Sequence, residues 1–167
     1  MSAQMADPHV GMVSFQQALR QGILQLAPVK GHSDLYSHFD VPAPDVGRLT
    51  YVRLDKTKNV QAFVACVMNG TVEGHPCVSL GYAVPEDMRA QGLAKQIVKD
   101  VIQDTLLQVG KAGARAVYIE AITDVENVAS QRVAEATLEA ERESITDGES
   151  GRPAYRYTQR YDIPTKR

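Results

Sequence analysis

The sequence predicts one α/β (α+β) domain built on a mixed, mostly antiparallel central sheet. Two observations predict it: three β-rich runs follow one another across short polar turns, and the pattern then changes to strand, helix, strand, helix. The chain has 167 residues, 44% of them hydrophobic and 23% charged, which is the length and composition of a single globular domain. We therefore expect one domain over residues 1–167, with flexible ends at 1–12 and 163–167.

The first half of the chain begins with an amphipathic helix. Residues 13–27 place Phe15, Leu19 and Ile23 at helical spacing, and Pro28 follows directly. Residues 31–47 contain Pro42 and Pro44 among polar residues, which predicts a loop with at most one helical turn.

Three strands follow in series and predict an antiparallel meander. The runs at 48–55 and 60–68 are separated by four polar residues, which suits a hairpin, and a turn at 69–74 leads into a strand at 77–84. The second half then predicts a helix at 93–109, a strand at 115–122, a helix from 127 to about 143 and a last strand at 154–163. A parallel crossover must join the strands at 77–84 and 115–122.

Composition disfavours several classes of function. The formal net charge is −2 with interspersed signs, and no basic stripe predicts a nucleic-acid surface. No apolar run approaches the roughly 20 residues that span a bilayer, and the first ten residues lack the layout of a signal peptide, so we expect a cytoplasmic protein without a membrane partner. Cys66 and Cys77 lie in apolar runs without metal-ligand spacing, which predicts small buried side chains, no disulfide and no metal site.

The strongest functional signal is the loop between the third strand and the next helix. The helix begins at a glycine, Gly92, so backbone N–H groups of its first turn lack intrahelical partners at the positive end of the helix dipole. Such a site binds phosphate oxygens. A Walker loop needs Gly-Lys-Ser/Thr and a dinucleotide site needs G-x-G-x-x-G; neither motif is present, so ATP and NAD are disfavoured. An ordinary strand-to-helix turn is the alternative.

At this loop the sequence resembles the GNAT superfamily of N-acetyltransferases, whose acyl-CoA loop reads Arg/Gln-x-x-Gly-x-Gly/Ala. The run Arg89-Ala90-Gln91-Gly92-Leu93-Ala94 matches each specified position. The Gly81-Tyr82 pair and the Asn-x-x-Ser at Asn127 to Ser130 resemble the ribosomal-protein N-terminal serine/alanine acetyltransferase-like subgroup. The resemblance is firm over residues 77–133, the cofactor half of the domain.

The resemblance implies a fold, a co-substrate and a set of binding residues. It implies helices on both faces of the sheet, a splayed parallel strand pair at the acyl-CoA site, acetyl-CoA as co-substrate without a metal, and an amine as acceptor; homodimers are frequent in such proteins. The strand end would contact pantetheine, the loop would hold the diphosphate, and the next helix would face the sulfur end. The implied cofactor-binding residues are Tyr82, Ala83, Val84, Met88, Arg89, Ala90, Gln91, Gly92, Leu93, Ala94, Asn127 and Ser130.

The catalytic groups are less clear because the usual acid is absent. Many GNAT proteins carry a tyrosine seven residues after the Asn, where this chain has Ala134. The subgroup resemblance suggests the Ser130 hydroxyl as hydrogen-bond donor to the departing sulfur, with Tyr82 as a weaker candidate. Their alternative roles are a helix-turn hydroxyl and a core aromatic. The candidate bases are Glu120, Glu73 and His75. For each of the three, the alternative is an ordinary structural role.

Three functions remain open from sequence. The first is direct acetyl transfer from acetyl-CoA to a primary amine, either a protein N-terminus or a small amine. The second is a CoA-binding regulatory module that has lost transfer, which the alanine at position 134 motivates. The third is modification of a cationic drug, which acidic residues such as Glu120, Glu135 and Glu139 around the acceptor would favour.

Overall fold

The computed structural model describes residues 7–148 and 150–164. Three helices lie at α1 Pro8–Arg20, α2 Leu93–Lys111 and α3 Val128–Thr137. The strands are β1 Ala27–Pro28, β2 Leu35–Ala43, β3 Val46–Leu54, β4 Val60–Val72, β5 His75–Ala83, β6 Ala116–Asp124, β7 Arg142–Thr146 and β8 Pro153–Asp162.

All eight strands form one sheet in the order β1-β2-β3-β4-β5-β6-β8-β7. Neighbouring strands are antiparallel except β5 and β6, which pair in parallel through the crossover helix α2. Side chains at alternate positions of β4 divide between two apolar clusters. One cluster holds α1, and the other holds α2 and α3, so helices cover both faces. The predicted fold class is confirmed. We call the two sides of the sheet the α1 face and the α2 face.

Helix α1 begins five residues earlier than predicted. Asp7 caps it by accepting a hydrogen bond from the His9 amide at 3.0 Å, and proline occupies the first turn. Met12 is buried against the sheet, so the predicted flexible end does not extend over residues 8–12. The helix ends at Arg20, and the last residue of the predicted segment, Ala27, lies in strand β1 instead. Residues 1–6 and 165–167 lie outside the described part of the chain.

The predicted loop at 31–47 is wrong, because most of it is strand β2. Leu35 is buried, and β2 pairs with β3 from Leu35 opposite Arg53 to Ala43 opposite Val46. The prolines do not prevent this pairing: Pro42 lies in the irregular stretch between Asp40 and Ala43, where a missing N–H costs the ladder little.

The predicted turn at 69–74 is shorter than expected. Strand β4 continues to Val72, with a register shift after Met68, and the chain reverses at Glu73 and Gly74. Both residues have positive φ, 50° and 80°, as a tight hairpin turn requires. Asn69 therefore lies on a strand rather than in a turn.

The predicted helix 127–143 is also shorter, since α3 ends at Thr137. The next residue, Leu138, is extended and buried in the core. The following Ala/Glu/Arg run favours helix by propensity, but pairing of Arg142–Thr146 with β8 overrides it. The edge strand β7 that results was not predicted.

A polar contact inside the core ties α2 to the sheet. The Tyr51 hydroxyl donates to Asp104 Oδ2 at 2.6 Å, and both side chains are buried. Burial, reinforced by this hydrogen bond, raises the pKa of Tyr51 far above its usual value, so the phenol remains a donor at neutral pH.

Tyr51→Phe is expected to lower the free energy of unfolding by about 1–3 kcal/mol, because it leaves a buried carboxylate without its donor. Urea unfolding measures the change. Tyr36→Phe is the control, since Tyr36 is half-buried without a side-chain hydrogen bond among the described residues. Equal midpoints for the two variants would contradict the assignment.

Within the described residues, no helix is long and apolar enough to cross a bilayer. The same residues contain no group of three or more His, Cys, Asp and Glu side chains that could hold a metal ion. Cys66 and Cys77 are free and buried, as predicted.

Candidate active site

The parallel pair β5–β6 separates at one end and opens the sheet. Their pairing ends at Leu80 opposite Ala121, yet β5 stays paired with β4 to Ala83 and β6 stays paired with β8 to Asp124. The two strands are thus held apart by their outer neighbours. A gap forms between their ends, and the backbone edges that face it lack a strand partner.

The loop that follows β5 presents unpaired amide groups at this gap. A 3-10 turn at Glu86–Met88 leads to Ala90 and Gly92, which adopt positive φ of 63° and 76°. Gly92 is the N-cap of α2 and supplies no side-chain cap, in contrast to the caps of α1 and α3. The first intrahelical bond is from the Gln96 amide to Gly92 O at 3.0 Å, so the amides before it can bind an anion.

One cavity of about 1200 Å³ contains both the gap and the loop. We call it the central cavity. It brings together all the expected cofactor-binding residues except Gln91, and it contains Glu120 but not the other two candidate bases, Glu73 and His75. Its walls include Tyr82, Ala83, Val84, Met88, Arg89, Ala90, Gly92, Leu93, Ala94, Glu120, Asn127 and Ser130.

On the α2 face, the first turn of α3 forms the cavity wall. The Asn127 side chain accepts a hydrogen bond from the Ser130 amide at 3.0 Å and thereby caps the helix. The Tyr82 hydroxyl donates to the Ser130 carbonyl oxygen at 2.6 Å. Burial raises the pKa of Tyr82 to about 12, and the neighbouring Ser130 opposes this rise. Tyr82 and Ser130 therefore form a pair of adjacent hydroxyls at the gap.

A hydroxyl from another element lies beside the first turn of α3 although residue 134 is alanine. Ala134 is fully buried. The Tyr82 side chain extends from β5 to this helix, where its hydroxyl donates to the Ser130 carbonyl oxygen.

On the α1 face, a buried carboxylate lies at the closed end of the gap. Glu120 is 6% exposed and pairs in register with Ser79, one pair before the strands separate. The Ser79 hydroxyl and the Asn69 amide both donate to Glu120 Oε1, the latter at 2.7 Å. Within the described chain, Oε2 has no hydrogen-bond partner, so one oxygen is fixed and the other remains available.

The other acidic and basic candidates lie elsewhere. Glu73 and His75 are outside the cavity wall, and Glu73 accepts a hydrogen bond from the Tyr118 hydroxyl at 2.7 Å on the surface. Glu135 and Glu139 are also outside the wall. Glu120 is thus the one of these carboxylates that the cavity wall contains, beside Asp7, Asp124 and Asp147.

Sequence reasoning missed several polar residues of the cavity wall, among them Asn69, Ser79, Thr123 and Arg156. Their places depend on strand register, which the sequence signals only through alternation along β5, β6 and β8. Thr123 is 3% exposed, and its Oγ1 is the one buried side-chain oxygen or nitrogen of the described residues without a partner. A buried unpaired hydroxyl in a cavity wall is typical of a site that a bound group completes.

Positive charge surrounds the anion-binding end of the cavity. Arg89, Lys95 and Arg132 line it and form no ion pair within the described residues. Together with the uncapped α2 and the unpaired Thr123 hydroxyl, these charges fit a ligand that carries phosphates at one end and polar groups along its length.

Comparison with known proteins shows the fold. Neither a protein-family model nor a curated protein matches this chain. Among solved structures, it is similar to a chimera of the Vibrio cholerae spermidine N-acetyltransferase SpeG and hSSAT, with a TM-score of 0.51 and 13% identity over 66% of this chain and 65% of that chain. It is also similar to a chain of the NatC complex bound to Gag peptide and CoA, with a TM-score of 0.50 and 20% identity over 70% of this chain and 71% of that chain.

The chain thus spans slightly less than two thirds of the spermidine acetyltransferase chimera. At these identities the similarity establishes a shared fold, and the GNAT fold expected from the loop motif is confirmed. The ribosomal-protein subgroup stays a prediction.

Proposed function

We propose that this protein is an acyl-CoA-dependent N-acetyltransferase that moves an acetyl group directly to a primary amine. The observation that carries the proposal is the central cavity itself. It joins an uncapped helix N-terminus, a gap between two parallel strands and a buried carboxylate in one continuous space. The similarity of the fold to N-acetyltransferases, one of them bound to CoA, supports the same conclusion.

Acetyl-CoA would lie in the cavity with its diphosphate at the loop before α2 and its pantetheine along the gap. The α2 amides and the basic side chains would hold the diphosphate, and the free strand edges at Tyr82 to Val84 would hold the pantetheine amides, as a strand would. Acetyl-CoA supplies an activated thioester, whose carbonyl carbon the amine attacks as the C–S bond breaks. No covalent enzyme intermediate is required.

Glu120 is the residue placed to bind the amine and to accept its proton. As a carboxylate it attracts a protonated amine, and its Oε2 can accept the proton whose loss makes the nitrogen a neutral nucleophile. The second proton, which the nitrogen loses as the C–N bond forms, is released to solvent and balances the proton that the departing thiolate takes up. Ser79 and Asn69 hold Oε1 and so orient the group. The departing sulfur gains a hydrogen bond or proton from the hydroxyl pair on the other face, with Ser130 as donor and Tyr82 as its hydrogen-bonded neighbour.

The direct test is acetyl transfer to a panel of amines. The panel contains free amino acids, their carboxamides, dipeptides and spermidine; release of the CoA thiol and the mass of the acetylated product are measured. We expect thiol release that depends on an amine. Saturable acetyl-CoA binding without amine-dependent release would favour the alternative function, a CoA-binding module without transferase activity.

Thr123→Val is expected to keep or raise the stability of the unliganded protein and to weaken acetyl-CoA binding. The isosteric change removes an unpaired buried hydroxyl, so the free energy of unfolding without ligand should stay equal or rise by about 1 kcal/mol. Acetyl-CoA affinity should weaken by about 2- to 10-fold if Oγ1 bonds the cofactor. Chemical unfolding and calorimetric titration measure the two effects.

Thr123→Ser is the matched control, because it keeps the hydroxyl and should bind acetyl-CoA nearly as the wild type does. Wild-type affinity in Thr123→Val would show that the hydroxyl has no part in binding.

A further inference from the structure

Arg156 lies in the wall of the central cavity near Glu120. We call this part of the wall, at Glu120 and Arg156, the acceptor side. Arg156 lies on β8 opposite Ile122, whereas Glu120 lies opposite Thr158. Residues 120, 122, 156 and 158 share one face of the sheet because side chains alternate along each strand. Glu120 and Arg156 are therefore diagonal cross-strand neighbours, with Cβ atoms about 7–8 Å apart. Both line the cavity on the α1 face.

The guanidinium of Arg156 uses two of its three nitrogens in hydrogen bonds to described residues. Its Nη2 and Nε both donate to Glu143 Oε2, at 2.8 and 3.3 Å. Glu143 lies on the edge strand β7, and 61% of its side chain is exposed. The third nitrogen, Nη1, has no partner among the described residues. An arginine held from behind by a solvated carboxylate can still offer N–H groups to a second anion.

The charges on this side of the cavity thus alternate. The buried carboxylate of Glu120 lies at the gap. The positively charged guanidinium of Arg156 lies on the neighbouring strand β8, one strand further from the gap. The hydrogen bond to Glu143 raises the pKa of Arg156, and the negative charge of Glu120 adds to this rise. The cavity wall contains further charged groups. Two of them, Asp124 and Arg152, pair with each other at 3.0 Å.

We infer that the acceptor is an amino-acid-like amine, in which a carboxylate lies a few bonds from the nucleophilic nitrogen. Glu120 would receive the amine at the gap, and Arg156 would bind the carboxylate. A polyamine fits this arrangement poorly, because its second ammonium group would approach the guanidinium. The structural neighbour acts on spermidine by its name, so this chain would differ from it in acceptor class. The inference rests on the proposed transferase function and adds its substrate class.

The test compares each free amino acid of the panel with its own carboxamide, which keeps the side chain and removes the negative charge. Rates are compared at equal concentrations of neutral amine, because the two forms differ in basicity. We expect kcat/KM for the best free amino acid to exceed that of its carboxamide by about tenfold or more, the value of one charge-assisted pair.

Arg156→Gln should bring that ratio close to one, chiefly by raising KM for the acid. Arg160→Gln is the matched control: Arg160 lies on the same strand, outside the cavity, and pairs with Asp162 at 3.1 Å. It should keep the wild-type ratio. Arg156→Lys, which retains the charge, should keep part of it and guards against a folding defect in the glutamine variant.

Several results would overturn the inference. They are equal rates for acid and amide in the wild type, an unchanged ratio in Arg156→Gln, spermidine as the best acceptor, or transfer to no member of the panel. Acetyl-CoA binding by calorimetry and amine-dependent thiol release together separate this failure from that of the proposed function. Amine-dependent release with no carboxylate preference removes the acceptor class alone, whereas absence of release, or of binding, removes both.

Discussion

Gly92→Glu is expected to abolish acetyl-CoA binding, with a loss of at least about 100-fold, or about 2.7 kcal/mol. The substitution places a carboxylate at the uncapped N-terminus of α2, where the amides and the helix dipole would otherwise face the diphosphate. Apart from its chain neighbours, no atom of the described residues lies within 4 Å of a Cβ at this position. The new side chain would therefore occupy the space that the ligand needs, without clashing with the protein.

Backbone strain must be separated from this effect, since Gly92 has a φ of 76° and a residue with a Cβ is strained there. Gly22→Glu is a close control. Gly22 has a φ of 71°, also has no protein atom within 4 Å of its Cβ, and lies after α1, outside the cavity wall. Both variants should lose similar stability in thermal unfolding, and only Gly92→Glu should lose binding by calorimetry. Micromolar binding retained by a folded Gly92→Glu would refute the loop assignment.

Glu120→Gln is expected to lower kcat by about 10²- to 10⁴-fold, the usual contribution of a positioned base. The amide keeps the size of the side chain, and its oxygen can still accept from Ser79 and Asn69 as Oε1 does. Loss of the negative charge should also raise the KM of the amine at neutral pH. Steady-state kinetics with the best acceptor of the panel measure both changes.

Acetyl-CoA affinity provides the internal check on this variant, because Glu120 lies on the opposite face from the loop and its loss should leave binding within about twofold. Glu73→Gln controls for the change of charge: Glu73 is surface-exposed and lies outside the cavity. Wild-type kcat in Glu120→Gln would assign proton removal to water or to another group.

The central part of the fold was predictable because its signals are local. The meander of β3, β4 and β5, the amphipathic helix α2 and the crossover to β6 each follow from a run of residues and the turn beside it. The errors lie where tertiary pairing overrides local preference. Strand β2 carries Pro42 within it, and β7 follows a run that favours helix, yet both are held by neighbouring strands.

The candidate site divides in the same way. The cofactor residues form nearly continuous runs at Tyr82 to Ala94 and Asn127 to Ser130, so a motif could identify them. The acceptor side depends on register, which brings Ser79, Glu120 and Arg156 together from three strands. Arg156 lies within a mixed polar and aromatic stretch that contains no motif. Its proposed role depends on Glu143, a residue that was predicted to lie on a helix.

The central claim is that acyl-CoA lies between β5 and β6 with its phosphates at the start of α2. Hydrogen exchange of the wild type, with and without saturating acetyl-CoA, tests both binding and location. We predict slower exchange for the amides of residues 88–95, which form the loop and the first turn of α2, and little change in α1 at Pro8–Arg20. Unchanged exchange at residues 88–95 under acetyl-CoA would contradict the account.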